Sequence, residues 1–577
     1  MTKVIKFSVI FFLIYIILIC LQSIFTGDIS LNWPDKTLVA PILSLKGYLQ
    51  NDFHTNGYID TPIINTAKIF SIFAPNESQN ITSFFTNFSI IHRSLILILS
   101  LYLLATYSLL LIKNKLKLNN YSISKQHIIV FISSIIIYSV IKTNIFSNEI
   151  FGIFFGSRFA GVHFLDSVSH SRYISLSLSI ISIAIPLSIE LYGIILNKKK
   201  KYILFLISTI LFLISIYFHP VAPLFIIPIG FFLPLILGRK NKLIFNWLKI
   251  TLVNTIIWLF SSLSFLYFFP QKGIDSNTFF KIYIEDRHPH HYLVSDYMSS
   301  IYSLFFISIN IALLLYLVFI EYKKNKFNSL VIKNISVGLS LFFLFHTIQF
   351  IFVDLFKVSL FMKLGISWLT VLFNFYYITT IIVFTSTALN KSQIINISKV
   401  NKYFNFKNIP LNSIIFILTL ISFAILKLTY ISNIAIINNS LEHKLGLIAR
   451  DNNLDKNYEY IISEKLKNKF INAREFGLLN VYSDKYFPFN SSYFNEWYKR
   501  KYDQEKLLSC LKDIDKDYCH LDQKKIIYIS NKEDIKIGNP ILRTDLEIRD
   551  MSLYCKYKKN NSCIKKEEIY LTPISHK

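Results

Sequence analysis

The amino-acid sequence predicts an all-α polytopic membrane protein of about eleven transmembrane helices, followed by a small extracytoplasmic α/β domain. Three observations support this fold class. The 577 residues are 53% hydrophobic with a mean hydropathy of +0.45, which is too apolar for a soluble protein of this length. The apolar residues fall in blocks of about 17 or more, each able to cross ~30 Å of hydrocarbon. After residue 430 the composition becomes polar, charged and rich in tyrosine.

The first apolar block lies at the N-terminus. Lys3 and Lys6 precede or begin it and no small-x-small cleavage site follows it, so we expect a retained signal-anchor and not a cleaved signal peptide. The predicted domains are a transmembrane domain, 1–430, and a C-terminal domain, 431–577. The predicted spans are 4–25, 94–112, 128–145, 173–196, 202–218, 221–237, 248–268, 298–320, 330–352, 366–388 and 411–430.

The distribution of basic residues predicts the orientation. A net charge of +26 would suggest a nucleic-acid partner, but the C-terminal domain holds 26 Lys/Arg against 21 Asp/Glu, so most of the excess lies in the membrane part. Its basic runs fall in every second connection, at 113–117, 198–201, 239–242, 323–326 and 391–407. This positive-inside pattern predicts a multi-pass protein of the cytoplasmic (inner) membrane, with its N-terminus inside and its C-terminal domain outside.

The acidic residues of the membrane part give a second indication of orientation. In this topology only Glu190 and Glu321 face inward. The other twelve face outward: Asp28, Asp35, Asp52, Asp60, Glu77, Glu149, Asp166, Asp275, Glu285, Asp286, Asp296 and Asp354. The outer loops are therefore the predicted place of any specific chemistry.

The first outer loop, 26–93, carries two candidate carboxylates. Pro34-Asp35 opens an apolar stripe with helical spacing that continues to Leu49, which predicts an amphipathic helix lying on the bilayer surface. Thr61-Pro62 predicts the start of a second short helix. Asp35 is either an N-cap or a general base or metal ligand. Asp52 follows the first helix, so capping does not account for it.

Two further outer segments carry cations. Arg158 and Arg172 flank a glycine-containing loop, where they either anchor lipid headgroups or hold a lipid phosphate or diphosphate in bidentate fashion. His219, before Pro220, is either a helix-end histidine at a tight turn or a functional imidazole.

The run Arg287-His288-Pro289-His290-His291 is the densest cationic cluster of the membrane part. Protonated imidazoles and a guanidinium repel one another unless an anion or a metal lies among them. Phosphate binding by Arg287 with one or two imidazoles is the leading interpretation, and a surface loop with chance histidines is the alternative. A divalent metal is also open, although no helical His-x-x-x-His spacing supports it.

The C-terminal domain is predicted from alternating patterns. Amphipathic helical stretches at 456–470 and 503–514 and a β-like run at 525–530 indicate a small α/β domain. Four of the five cysteines lie here, at Cys510, Cys519, Cys555 and Cys563, which suggests two disulfides outside the cell, with four free thiols as the alternative. The connectivity stays open.

These features together resemble the GT-C superfamily of membrane glycosyltransferases, and more narrowly an uncharacterised bacterial branch of it. The matching segments are Pro34-Asp35-Lys36, Asn51-Asp52-Phe53, Arg158 to Arg172, His219-Pro220, Arg287 to His291, Asn472 to Glu475 and Glu496 to Arg500. The resemblance implies a polyprenyl-phosphate or polyprenyl-diphosphate sugar donor, an essential Asp in the first outer loop and often a large outer C-terminal domain. Many members have adjacent acids there, whereas here the acids are separated.

The expected function is therefore transfer of a sugar from a lipid-phosphate donor to an acceptor at the outer face. Asp35 or Asp52 would deprotonate the acceptor, and Arg158, Arg172, Arg287 and His290 or His291 would hold the phosphate. A polysaccharide polymerase or ligase acting on lipid-linked glycans is a second possibility, with arginines dominant. A lipid or metal transporter is a third possibility. Such proteins need ionisable residues within their spans. The predicted spans of this chain carry almost none, and His346 is the main exception.

Overall fold

The protein is described here from a computed structural model. It describes residues 2–27, 29, 33–49, 53–56, 62–113, 120–142, 170–219, 226–237, 242–268, 280–287, 293–295, 329–358, 361, 410–454, 458–483, 491–512, 525–531, 537–549, 551–552 and 564–574, single residues between 308 and 323, and most of 375–384. At several helix ends only the backbone is described.

The described part of the membrane domain is helical. Its helices are α1 (Thr2–Thr26), α2 (Trp33–Leu45), α3 (Phe53–Asn56), α4 (Pro62–Phe73), α5 (Ser78–Ile112), α6 (Asn120–Lys142), α7 (His170–Leu191), α8 (Lys198–Phe218), α9 (Ile227–Leu237), α10 (Lys242–Phe268), α11 (Leu330–Gln349) and α12 (Leu411–Asn439). Two π-helical segments, π1 (Phe280–Arg287) and π2 (Phe350–Leu355), complete the set, and π2 continues α11.

Six of these helices are long and apolar enough to cross a membrane: α1, α5, α7, α8, α12, and α11 with π2. Each exceeds or approaches the ~20 residues that the hydrocarbon core requires. The protein is therefore a mostly helical membrane protein. The predicted spans 298–320 and 366–388 lie largely outside the described residues.

The bundle is built around α5, which packs against α1, α6, α7 and α12. Within it, the Tyr107 hydroxyl donates to Asn334 Oδ1 at 2.9 Å, and the Asn334 amide nitrogen lies 3.2 Å from the hydroxyls of both Thr379 and Thr380. All four side chains are buried. Because buried amides and hydroxyls need partners in an apolar surrounding, this network fixes α5, α11 and the helical residues 378–384 in one arrangement.

The bundle has two distinct ends. At one, which we call the basic end, Lys113 Nζ donates to the carbonyls of Glu190 at 3.2 Å and Leu191 at 2.8 Å, where α5 and α7 finish. The basic run Lys198 to Lys201 opens α8 at the same end, because α7 and α8 are antiparallel. At the other end, which we call the tail end, α1 finishes, α5 begins and the C-terminal domain packs. A Cβ added to Gly27 would lie 2.4 Å from the backbone nitrogen of Ser552.

The C-terminal domain is an α/β unit. Its strands β1 (Glu459–Ile462), β2 (Ile526–Ser530), β3 (Leu542–Arg549) and β4 (Ile564–Pro573) form a sheet of order β1-β2-β4-β3, with β1 parallel to β2 and the other pairs antiparallel. One face of the fully buried β2 packs with helix α13 (Leu441–Asp451) and the other with helix α14 (Ser491–Lys512). Cys510 of α14 is disulfide-bonded, and its partner lies outside the described residues.

Two local predictions are corrected. Residues 458–470, the described part of the predicted helix 456–470, contain β1 and then turns, because Tyr460 and Ile461 are both buried on opposite faces of the sheet. The first interfacial helix ends at Leu45, which is 43% exposed, so Leu49 lies beyond it. Its buried residues, among them Leu38 and Ile42, pack against α4, α5 and the C-terminal domain instead of facing lipid. Pro62 opens α4 as predicted.

Candidate functional site

The structure gives partial positions for the predicted site residues. Asp35 lies in the first turn of α2, Arg172 in the first turn of α7, and Arg287 ends π1, with only their backbones described. His219 is described and caps α8. Asp52, Arg158, His288, His290 and His291 lie outside the described residues, so their roles and those of the others stay predictions.

Hydroxyl hydrogen bonds hold His219 beside the start of α7. Ser175 Oγ donates to the carbonyls of Ser215 at 2.7 Å and of His219 at 3.1 Å. Ser175 is one helical turn after Arg172, and serine is small enough to let two helices approach closely. The ends of α7 and α8 that carry Arg172 and His219 are therefore neighbours at the tail end.

The helices of the first loop cover these two ends. α4 contacts α7 and α8, and α2, which carries Asp35, contacts α4, α5 and α7. The ring of Phe70 in α4 meets those of Phe85 at 6.0 Å and Phe88 at 4.8 Å in edge-on geometry, which fixes α4 on α5. Buried apolar residues thus position the predicted carboxylate-bearing loop over the predicted phosphate-binding helix starts.

Six buried side chains form what we call the outer cluster: Phe53, Phe280, Ile282, Ile284, Val353 and Trp497. They come from α3, π1, π2 and α14, four segments far apart in sequence. Phe53 directly follows Asp52, and Ile284 precedes Arg287 by three residues. The outer cluster therefore holds the segment beside one candidate base close to the segment that leads into the histidine run.

The far side of the histidine run is also held in place. The Asp354 carboxylate in π2 accepts the backbone N–H of Ser295 at 2.9 Å and of Val294 at 3.3 Å. Val353, the preceding residue, belongs to the outer cluster. One π-helical segment thus anchors the chain both before and after residues 287–291, so Asp354 has a positioning function that its charge alone did not predict.

Arg500 of α14 joins the C-terminal domain to α3. Its Nη1 lies 2.6 Å from Glu459 Oε1 and its Nε 2.9 Å from Glu496 Oε1. Its Cζ lies 4.0 Å from the ring centroid of Phe53 and 5.1 Å from that of Tyr482. Burial opposes the cation, but the two carboxylates outweigh it and raise the pKa of Arg500. The guanidinium is therefore charged and fixed in orientation.

A second set of contacts, the docking contact, fastens the C-terminal domain to the start of α5. Thr82 Oγ1 donates to the Glu475 carbonyl at 3.2 Å, and inside the C-terminal domain the Asn472 N–H donates to Glu442 Oε1 at 3.4 Å and supports this contact. His443 Nδ1 lies 3.2 Å from the Phe476 carbonyl, and its Nε2 lies 3.4 Å from Gln79 Nε2. Glu442, His443 and Glu475 are all buried. The domain is thus rigidly placed beside the first loop.

The docking contact predicts a pH-dependent stability. Burial lowers the pKa of His443 below 6.5, and Arg450 and Lys444 lower it further. The imidazole therefore contributes stability above pH 6.5, which is lost as pH falls through 6.5 toward the depressed pKa. We expect the midpoint of thermal unfolding in detergent to fall more between pH 7.5 and pH 5.5 in the wild type than in His443→Gln. Equal falls would contradict this account.

Sequence reasoning assigned no role to several residues that shape this region. His54, two residues after Asp52, is fully buried beside Phe53. Trp497 is 2% exposed. The available signal was their position in the sequence: His54 lies two residues after Asp52, and Trp497 lies three residues before Arg500. Among the described residues no group of three His, Cys, Asp or Glu could hold a metal ion, and the three histidines of the run lie outside the described residues.

Comparisons with known proteins identify no relative of this chain. No protein-family model, no curated protein and no solved structure matches the chain.

Proposed function

We propose that this protein is a membrane glycosyltransferase of GT-C architecture, with about eleven spans and its C-terminal domain outside the cytoplasmic membrane. It would move a sugar from a polyprenyl-phosphate donor to an acceptor at the outer face. One observation supports this most strongly: α2, which carries Asp35, contacts α7, whose start carries Arg172 and lies beside His219, and α2 also contacts α3, whose Phe53 packs with π1, the segment that ends at Arg287. Carboxylates and cations on neighbouring segments suit a base and a phosphate-binding half.

The proposed reaction uses the two halves in sequence. The hydroxyl oxygen of the acceptor bonds to the anomeric carbon of the sugar, and Asp35 or Asp52 accepts the proton of that hydroxyl. The bond from that carbon to the phosphate oxygen breaks, and polyprenyl phosphate leaves. The leaving phosphate gains negative charge, which Arg158, Arg172, Arg287 and the imidazoles of 288–291 would stabilise. His219 would complete this cationic half.

A divalent metal could substitute for part of the cationic half. Imidazole and carboxylate ligands near residues 287–291 would hold it, and it would stabilise the leaving phosphate as a Lewis acid. Arginine does the same without a metal, because its planar guanidinium matches a phosphate with two hydrogen bonds. We therefore propose the metal-free arrangement, with metal dependence as a measurable property of the purified enzyme.

The test replaces each candidate base. We expect Asp35→Asn or Asp52→Asn to lower turnover by roughly 100-fold or more, because general-base catalysis contributes on this scale. The assay measures polyprenyl phosphate released in liposomes from a panel of polyprenyl-phosphate hexoses and pentoses. Asp451→Asn is the matched control, since Asp451 is an exposed carboxylate of the C-terminal domain. Full turnover in both Asp35 and Asp52 variants would refute the proposal.

The same assay separates the other possibilities. A polymerase or ligase that depends on arginines would keep its turnover in both aspartate variants and lose it in Arg287→Gln. A transporter would release no polyprenyl phosphate in any variant.

A further inference from the structure

We propose that Arg500 is a positioning residue that fixes α3, the helix directly after Asp52, an inference that rests on the proposed function. Arg500 belongs to the C-terminal domain, more than 400 residues from Asp52 in sequence. Its guanidinium nevertheless lies 4.0 Å from the ring of Phe53, the residue bonded to Asp52. The C-terminal domain would thus complete the catalytic geometry of the membrane domain.

The guanidinium is a rigid surface for Phe53. Glu459 comes from β1 and Glu496 from the preceding turn of α14, so two carboxylates from different elements orient one side chain. Its side chain is 13% exposed, so little solvent competes for these bonds. A planar cation held by two carboxylates can stack on an aromatic ring in one orientation, which a lysine ammonium cannot reproduce.

Phe53 is held on its other sides as well. It packs in the outer cluster with Trp497, which lies on α14 three residues before Arg500, and with Ile282 and Ile284 of π1. α3 therefore has a single position relative to π1, the segment that ends at Arg287. Because Asp52 is bonded to Phe53, a displacement of this ring is expected to change turnover.

Direct phosphate binding by Arg500 is not the better explanation. Its Nη1 and Nε already donate to Glu459 and Glu496, and the three groups together carry a net negative charge. Such a group repels a lipid phosphate. A simple stabilising role would affect unfolding but not the position of α3 in the folded protein, so the two roles are distinguishable.

The experiment compares Arg500→Ala and Arg500→Lys with the matched control Arg543→Ala. Arg543 also pairs with a glutamate, Glu568, and stacks on a tyrosine, Tyr570, but it lies in β3 at the edge of the sheet. We expect Arg500→Ala to lower kcat about 10- to 100-fold with KM for the lipid donor changed less than about 3-fold, because small displacements of a catalytic group have effects of this size. Arg500→Lys should not restore kcat, and Arg543→Ala should keep it.

A second readout needs no turnover. A Thr55→Cys substitution in α3 gives a thiol whose maleimide labelling rate reports the exposure of this segment. We expect faster labelling on the Arg500→Ala background and in Phe53→Leu, which removes the ring and leaves the C-terminal domain intact, but not on the Arg543→Ala background. Equal kcat and equal labelling for the Arg500 and Arg543 variants would overturn the proposal. If the wild type releases no polyprenyl phosphate, the proposed function fails, and labelling alone decides whether Arg500 positions α3.

Discussion

Gly446→Ala is expected to force helix α13 away from the turn at 472–478 inside the C-terminal domain, and to lower the free energy of unfolding by about 3 kcal/mol or more. A Cβ on Gly446 would lie 1.9 Å from the carbonyl oxygen of Gly477, and one on Gly477 would lie 2.6 Å from that of Glu442. Helix α13 and the turn at 472–478 therefore touch backbone to backbone. Neither partner has a flexible side chain that could move aside, so the two segments must part.

The measurement is the midpoint of thermal unfolding in detergent, combined with tryptic cleavage of the turn at 472–478. Gly193→Ala is the control. Gly193 has a positive φ of +61° but no heavy atom within 4 Å of an added Cβ, so it should show only backbone strain of about 1–2 kcal/mol and no new cleavage. Similar losses at the two glycines would mean that the close approach of α13 to the turn at 472–478 does not govern stability.

Trp497→Ala is expected to lower the free energy of unfolding by about 3–5 kcal/mol, the usual range for removing a buried aromatic residue. Trp497 is 2% exposed and contacts residues of α3, π1 and π2 through the outer cluster. Its loss would leave a cavity where the C-terminal domain meets three membrane-domain segments. We therefore also expect turnover to fall in the folded fraction, because α3 and π1 lose their common support.

Two comparisons make this test specific. Trp497→Phe keeps an aromatic ring in the outer cluster and should lose less stability than Trp497→Ala. Tyr502→Ala lies on the same helix, but Tyr502 is 60% exposed and its removal should change stability by no more than about 0.5 kcal/mol. A Trp497→Ala protein as stable as Tyr502→Ala would show that the outer cluster is not a supporting element.

Much of the helical architecture was accessible from the sequence, because an apolar block of sufficient length has few alternatives in a membrane. α1, α8 and α12 follow such blocks directly. The start of α5 was not accessible. The first turns of α5 are polar, so residues 78–93 were predicted to be part of a loop. In the structure the Thr82 and Thr86 hydroxyls bond to carbonyls within the helix. The Thr82 hydroxyl also bonds to Glu475 of the C-terminal domain.

The candidate site was partly predictable for a related reason. Charge patterns predict that the cations and carboxylates share one side of the membrane, because such a pattern is a property of each loop by itself. The contacts that bring Phe53, Ile284 and Trp497 together join residues hundreds of positions apart, and no local pattern reports such packing. The hydrogen bonds from the backbone of Val294 and Ser295 to Asp354 depend on the same tertiary arrangement. The position of an acidic residue in the sequence does not predict them.

The length of α5 has a consequence for access to the site. Its 35 residues extend about 52 Å at ~1.5 Å per residue, about 22 Å more than the hydrocarbon core requires. α4 packs against Phe85 and Phe88, which lie two to three turns into α5. The C-terminal domain bonds to Gln79 and Thr82, which lie closer to the first residue of α5. In the proposed orientation these extra turns would lift the start of α5 out of the hydrocarbon core, so the proposed site would lie at or above headgroup level.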